Sequence, residues 1–276
     1  MRWLTPADAA LAAGLIVLCG GYAASARRWN GLQRRVRRRW PGWRLACFLG
    51  AAVAGYSAFS SAAERLADSA FAAHMAQHLV IILVLAPLFL LSAPMLLLMT
   101  TIGASPRRRL SGVLHGPAVA LLSHPLVGWC ALLVVLWLTH FSGLYEAALD
   151  HPPVHALEHA AYLGAAMLFW YPVVAAEPSR WRMGYPLRML YLFAFVPQAA
   201  FLGAILEQTR RVLYAHYALL PGHDQAWALV DQQNGGVMMW LCGGAAALLA
   251  LLLTAAAWAR SERGPASGFL EKVPLR

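Results

Sequence analysis

The stretch His74–Ile102 reads HMAQHLVIILVLAPLFLLSAPMLLLMTTI, 29 residues without one Asp, Glu, Lys or Arg. About 20 apolar residues at 1.5 Å rise each cross about 30 Å of hydrocarbon, so this run is long enough to span a bilayer as a helix. Leu, Ile and Val follow one another with no period-two alternation, which favours helix over barrel strand. Its two histidines, His74 and His78, stand four apart at the start.

Six further stretches have the same character. The expected spans are 7–26, 43–61, 74–102, 118–140, 154–176, 186–207 and 235–259. Composition agrees, because the 276 residues are 60% hydrophobic and only 12% charged, whereas soluble domains carry about 25% charge. Too few charges are present to tile a water-facing surface. The chain is therefore expected to be an all-α polytopic membrane protein, a bundle of seven transmembrane helices in one membrane domain over 1–276, with residues 260–276 as a cytoplasmic tail. Pro87, Pro94 and Pro197 fall inside spans, where they release backbone carbonyls and permit kinks.

The formal charge of +10 would suit a nucleic-acid binder, but its distribution points elsewhere. Arg27, Arg28, Arg34, Arg35, Arg37, Arg38, Arg39 and Arg44 lie around the first connection, Arg107–Arg109 in the third, Arg180, Arg182 and Arg188 in the fifth, and Arg260, Arg263, Lys272 and Arg276 in the tail. These are 18 of 22 basic residues on one side, with three of twelve acids, so the two faces carry +15 and −5. Cytoplasmic loops collect Lys and Arg, which places the N-terminus outside and the C-terminus in the cytoplasm. The basic first connection is read as a headgroup anchor, and no nucleic-acid partner is expected. Ala24-Ser25-Ala26 resembles a signal-peptidase site; cleavage there would require translocating an arginine-rich start, so the first helix is expected to stay. Cys19, Cys47, Cys130 and Cys242 form no C-x-x-C pair, which argues against a disulfide framework or a thiolate metal site.

The outer face is where ionisable groups gather: eight of ten histidines and nine of twelve acids fall there. His74-x-x-x-His78 opens the third span and His155-x-x-Glu158-His159 the fifth, each placing two imidazoles one turn apart on one helix face. Both spans run inward from outside, so four imidazoles can converge at one depth. Asp231 before the seventh span and His140 at the end of the fourth reach the same level. Imidazole binds copper, zinc, nickel or iron, and a nearby carboxylate can ligate or fix the ring tautomer. Ionisable groups are costly within membrane spans and mark functional sites. His74, His78, His155, His159, Asp231 and His140 are the candidate metal ligands, without a choice of metal; Met75, Met238 and Met239 are soft ligands that would suit Cu(I), although methionine in an apolar helix is more often packing.

His74-x-x-x-His78 with Ala86-Pro87 and Ala93-Pro94, His155-x-x-x-His159 leading to Phe169-Trp170-Tyr171-Pro172, and Asp231-Gln232-Gln233-x-Gly235-Gly236-x-x-Met239-Trp240 together resemble the integral-membrane CtaG family of cytochrome c oxidase assembly factors, over residues 40–260. The resemblance implies a non-enzymatic protein of the bacterial inner membrane that supplies or inserts copper during maturation of heme-copper oxidase. It also implies oxidase subunits, and a copper donor chaperone, as partners. Two other readings compete. H-x-x-E-H, as in His155-x-x-Glu158-His159, is a zinc-hydrolase pattern, and two histidines from different helices can hold heme axially.

Overall fold

A computed structural model describes residues 5–33, 39–174, 176 and 180–263. Arg34, Arg35, Arg37 and Arg38 of the expected basic connection and most of the tail lie outside them. Among the described residues the chain is helical throughout: α1 (Pro6–Leu32), α2 (Gly42–Phe59), α3 (Ser61–Ser69), α4 (Phe71–Val80), α5 (Ala86–Ser92), α6 (Pro94–Thr101), α7 (Ala104–Leu114), α8 (Pro117–Leu122), α9 (Pro125–Phe141), α10 (Leu144–Asp150), α11 (Pro152–Val174), α12 (Tyr185–Gln208), α13 (Ala215–Ala218) and α14 (Gln225–Arg263). Four described helical stretches are long and apolar enough to cross a membrane: Pro6–Leu32, Phe71–Thr101, Tyr185–Gln208 and Gln225–Glu262. The number rises to six if α2 with α3, bent by 50°, and α9 with α10, bent by 71°, each make one span. Seven were expected. The difference is α11, a 23-residue helix whose apolar character is diluted by His155, Glu158, His159 and Tyr162, all buried.

Two expected boundaries move for local reasons. The span expected at 118–140 breaks into α8 and α9, because Pro125 forces the preceding His124 into extended backbone (φ −67°, ψ 132°). The helix expected from 235 starts at Gln225, where the Asp224 carboxylate accepts the Trp227 N–H at 2.8 Å. Gly235 and Gly236, which look like a helix start, instead sit in mid-helix and permit close packing. A Cβ on Gly236 would lie 2.6 Å from the Gly203 carbonyl oxygen of α12, and one on Gly235 would lie 2.5 Å from the Phe71 ring.

The third span carries two proline-made irregularities. Pro87 has no N–H to donate, and the turn ahead of it, Ile81–Leu85, widens to a π-helix. The Ile82 carbonyl there accepts the Trp170 indole N–H at 2.8 Å, tying α11 to this span. At the second break Ala93 is left-handed (φ 51°) before Pro94, and the Ser92 carbonyl takes the Tyr22 hydroxyl at 2.6 Å. Tyr22 in turn stacks on Phe48, with ring centroids 4.2 Å apart, so α1 and α2 are fastened to the same break.

The N-terminal turn of α1 is locked by a reciprocal cap. Thr5 and Asp8 exchange hydrogen bonds, and the other Asp8 oxygen accepts the Ser61 N–H at 2.7 Å. That contact folds α3 back beside the start of α4. The lipid-facing surface is recognisable on α1 and α14, where Val17 (71%) and Leu253 (60%) stand exposed. The core is Phe71, Met75, Ile81, Tyr145, Tyr162, Leu202, Leu206 and Tyr217, all but fully buried.

Candidate metal centre

The first turns of α4 and α11 meet at one end of the bundle. His74 and His78 face each other along α4 with Nε2 atoms 3.1 Å apart, and the His155 and His159 rings, tilted at 51°, lie along α11 with centroids 4.2 Å apart. Across the helices the His74–His155 centroids are 4.9 Å apart and the His78–His159 centroids 5.4 Å. One ring nitrogen of each of the four lies within 4.8 Å of the others. All four rings are buried, His74 completely.

The outer nitrogens show which way each ring is held. Tyr217 donates its hydroxyl to the Ala67 carbonyl at 3.0 Å, so its oxygen accepts Nδ1–H of His74 at 3.3 Å. Burial pushes the Tyr217 phenol well above its usual pKa, which keeps it neutral in this role. Glu64 on α3 accepts Nδ1–H of His155 at 3.1 Å and lies 3.9 Å from Nδ1 of His159. Glu64 is itself held by the Gln77 amide at 2.9 Å, and the same amide nitrogen donates to the Ala58 carbonyl at 2.7 Å. With Nδ1 protonated, the Nε2 lone pairs of His74 and His155 are left for the interior. This is the arrangement by which outer carboxylate and hydroxyl groups fix metal-binding histidines.

The interior is polar and unfinished. Nε2 of His155, Nε2 of His159, Nδ1 of His78 and both Glu158 oxygens are buried without a hydrogen-bond partner among the described residues. Glu158 stands 3.7 Å from His74 Nε2 and 3.9 Å from His78 Nε2. Each such buried unpaired group costs roughly 1–3 kcal/mol, a burden that a cation held by the imidazoles and neutralised by Glu158 would relieve. The residues present therefore fit a metal of the imidazole-binding kind.

Two expected ligands stand elsewhere. Asp231 is not at the four-histidine group: its carboxylate accepts the N–H of Phe71 at 2.6 Å and of Ala72 at 3.4 Å. The residue at the α4 cap position is Ala70, which has no capping side chain, so Asp231 supplies from α14 the acceptor that the helix start needs. His140 also lies apart. Its Nδ1 donates to the Leu136 carbonyl at 2.8 Å and its Nε2 meets the Met75 sulfur at 3.3 Å. Glu64, Gln77 and Tyr217 were not among the expected site residues. The sequence signalled them only as Gln77 between the paired histidines and as Glu64 among the acids of the outer face.

Over 263 residues the chain is 26% identical to an uncharacterised protein of Mycobacterium leprae, covering 92% of this chain and 39% of that protein. A Mycobacterium tuberculosis protein, also uncharacterised, is 26% identical over 268 residues, covering 94% of this chain and 40% of its own length. The chain thus spans about two-fifths of the length of these relatives. No solved structure matches it. Residues 20–261 match the family model for the cytochrome c oxidase caa3 assembly factor, and with its helical membrane character and its cluster of buried histidines the chain belongs to that family, the Caa3_CtaG assembly factors.

Proposed function

We propose that this protein binds copper at the four-histidine centre and supplies it to a heme-copper oxidase during assembly. The observation that carries the reading is the convergence of four buried imidazoles whose inner nitrogens are largely unsatisfied. His74, His78, His155 and His159 are the ligands, and Glu158 balances the ion's charge. Glu64 with Gln77, and Tyr217, hold the rings. Copper is cargo here, so the protein is not an enzyme.

In this reading the chain crosses the inner membrane of a bacterium seven times, α11 included, with its N-terminus outside. The basic residues mark the cytoplasmic face, and the first turns of α4 and α11 then open on the outer face, where oxidase subunits and a copper donor chaperone can reach them. Anaerobically purified protein is expected to carry copper that His74→Ala loses, and cells carrying that variant are expected to make copper-poor oxidase. Normal oxidase copper in the variant would refute the proposal. Zinc in place of copper would keep the site and change the cargo, and a Soret band would mark a heme protein.

Glu158 favours one second reading. A buried carboxylate with both oxygens unpartnered beside two imidazoles is also what a metal hydrolase needs to activate water. Normal oxidase maturation with Glu158→Gln would argue against a catalytic Glu158. A hydrolytic activity that this substitution abolishes would establish the enzyme.

A further inference from the structure

We propose that Met75 and His140 form a second metal site, selective for Cu(I), directly behind the four-histidine centre. The inference rests on the copper reading above and extends it from one binding site to a two-step path.

Nδ1 of His140 lies 2.8 Å from the Leu136 carbonyl oxygen, which can only accept, so Nδ1 carries the proton. In the neutral ring Nε2 is then a bare lone pair. It points at the Met75 sulfur, 3.3 Å away, and a thioether has no proton to give. The contact is therefore two acceptors facing each other. An imidazolium would donate from both nitrogens, but the Met75 thioether offers its N–H only a weak acceptor.

A soft monovalent cation satisfies both lone pairs at once. Thioether sulfur with imidazole nitrogen is a donor set for Cu(I), whereas zinc prefers nitrogen, oxygen or thiolate. Methionine's flexible side chain lets the sulfur shift to admit the ion. The surroundings connect this pair to the first site. Met75 follows His74 in the chain and lies one turn from His78 on α4. The Tyr162 ring packs 4.2 Å from the His78 ring, and its hydroxyl lies 3.4 Å from His140 Nδ1. A Cu(I) ion passing between the sites releases the imidazole nitrogens of the first and takes up the His140 nitrogen and Met75 sulfur of the second, with no change of oxidation state.

The test uses the full chain in detergent under anaerobic conditions. Cu(I) is titrated against a chromophoric chelator and Zn(II) separately, and X-ray absorption follows at the copper edge. Wild type should take two equivalents of Cu(I), with sulfur in the copper shell, and one of Zn(II). Met75→Leu and, independently, His140→Gln should take one equivalent of Cu(I) with nitrogen neighbours only. Their retained Zn(II) equivalent shows that the fold and the four-histidine centre persist. One Cu(I) equivalent without sulfur in wild type would overturn this proposal and leave the first site standing, as would two equivalents in both variants. Wild type that binds neither metal would overturn both.

Discussion

Removing the charge of Glu64 is the most direct probe of how the centre is held. The Glu64 carboxylate accepts from His155 at 3.1 Å, lies 3.9 Å from His159 and accepts from Gln77 at 2.9 Å. In Glu64→Gln the new amide cannot serve both contacts. With its oxygen toward His155 its NH2 meets the Gln77 NH2, and turned about it faces the His155 N–H with a donor. Loss of such an outer partner typically weakens metal binding by roughly 10–100-fold. The Glu64 side chain is 33% exposed, so water screens part of its charge and the lower half of that range is expected, roughly 10–30-fold or ~1.4–2 kcal/mol. Competition titration with Zn(II), a redox-silent probe, reads the change in Kd. Glu146→Gln is the control, since Glu146 instead accepts the Ala215 N–H at 2.8 Å. A Glu64→Gln protein whose Kd equals that of wild type would show that the rings are held without Glu64 and would refute this account of the outer shell.

Removal of an inner ligand by His159→Ala should lower Zn(II) affinity more than Glu64→Gln does, and the same titration ranks them. Asp231→Ala takes the acceptor from the start of α4 and should cost about 1–2 kcal/mol of stability, read as a lower Tm, while metal stoichiometry is retained. Gly128→Ala sets a Cβ against the Leu168 carbonyl oxygen and Gly236→Ala one 2.6 Å from that of Gly203. Each should destabilise by about 1–3 kcal/mol through overpacking, seen as earlier thermal unfolding in detergent. Reporter fusions at the two ends should place the N-terminus outside and the C-terminus in the cytoplasm.

Much of the site was legible because helical spacing is a local property. His74 and His78, like His155 and His159, must share a helix face once their segments are helical, and the apolar runs make them so. Their meeting across two helices is a tertiary fact to which the common depth of the two pairs only pointed. Asp231 shows the limit. Its place at the depth of the two histidine pairs suggested a ligand, yet the need of the α4 start for an acceptor claims its carboxylate, and no sequence pattern near Asp231 mentions residue 71. His140 likewise arrives at the right level, but its ring is turned to Met75 rather than to the four imidazoles.

By itself the sequence determined a helical membrane protein, the apolar runs that build it and two imidazole pairs, because hydropathy and the 3.6-residue period are properties of short segments. Tertiary structure alone decided which face of each helix turns inward. In lipid both faces are apolar, so the pattern that orients a helix in a soluble protein is missing, and small residues such as Gly203 and Gly236 set the contacts instead. It also decided that α3 folds back to bring Glu64 to His155, a return fastened by Asp8 of α1 at Ser61. That contact joins residues 53 apart in the chain, and its energy exists only once the helices have assembled.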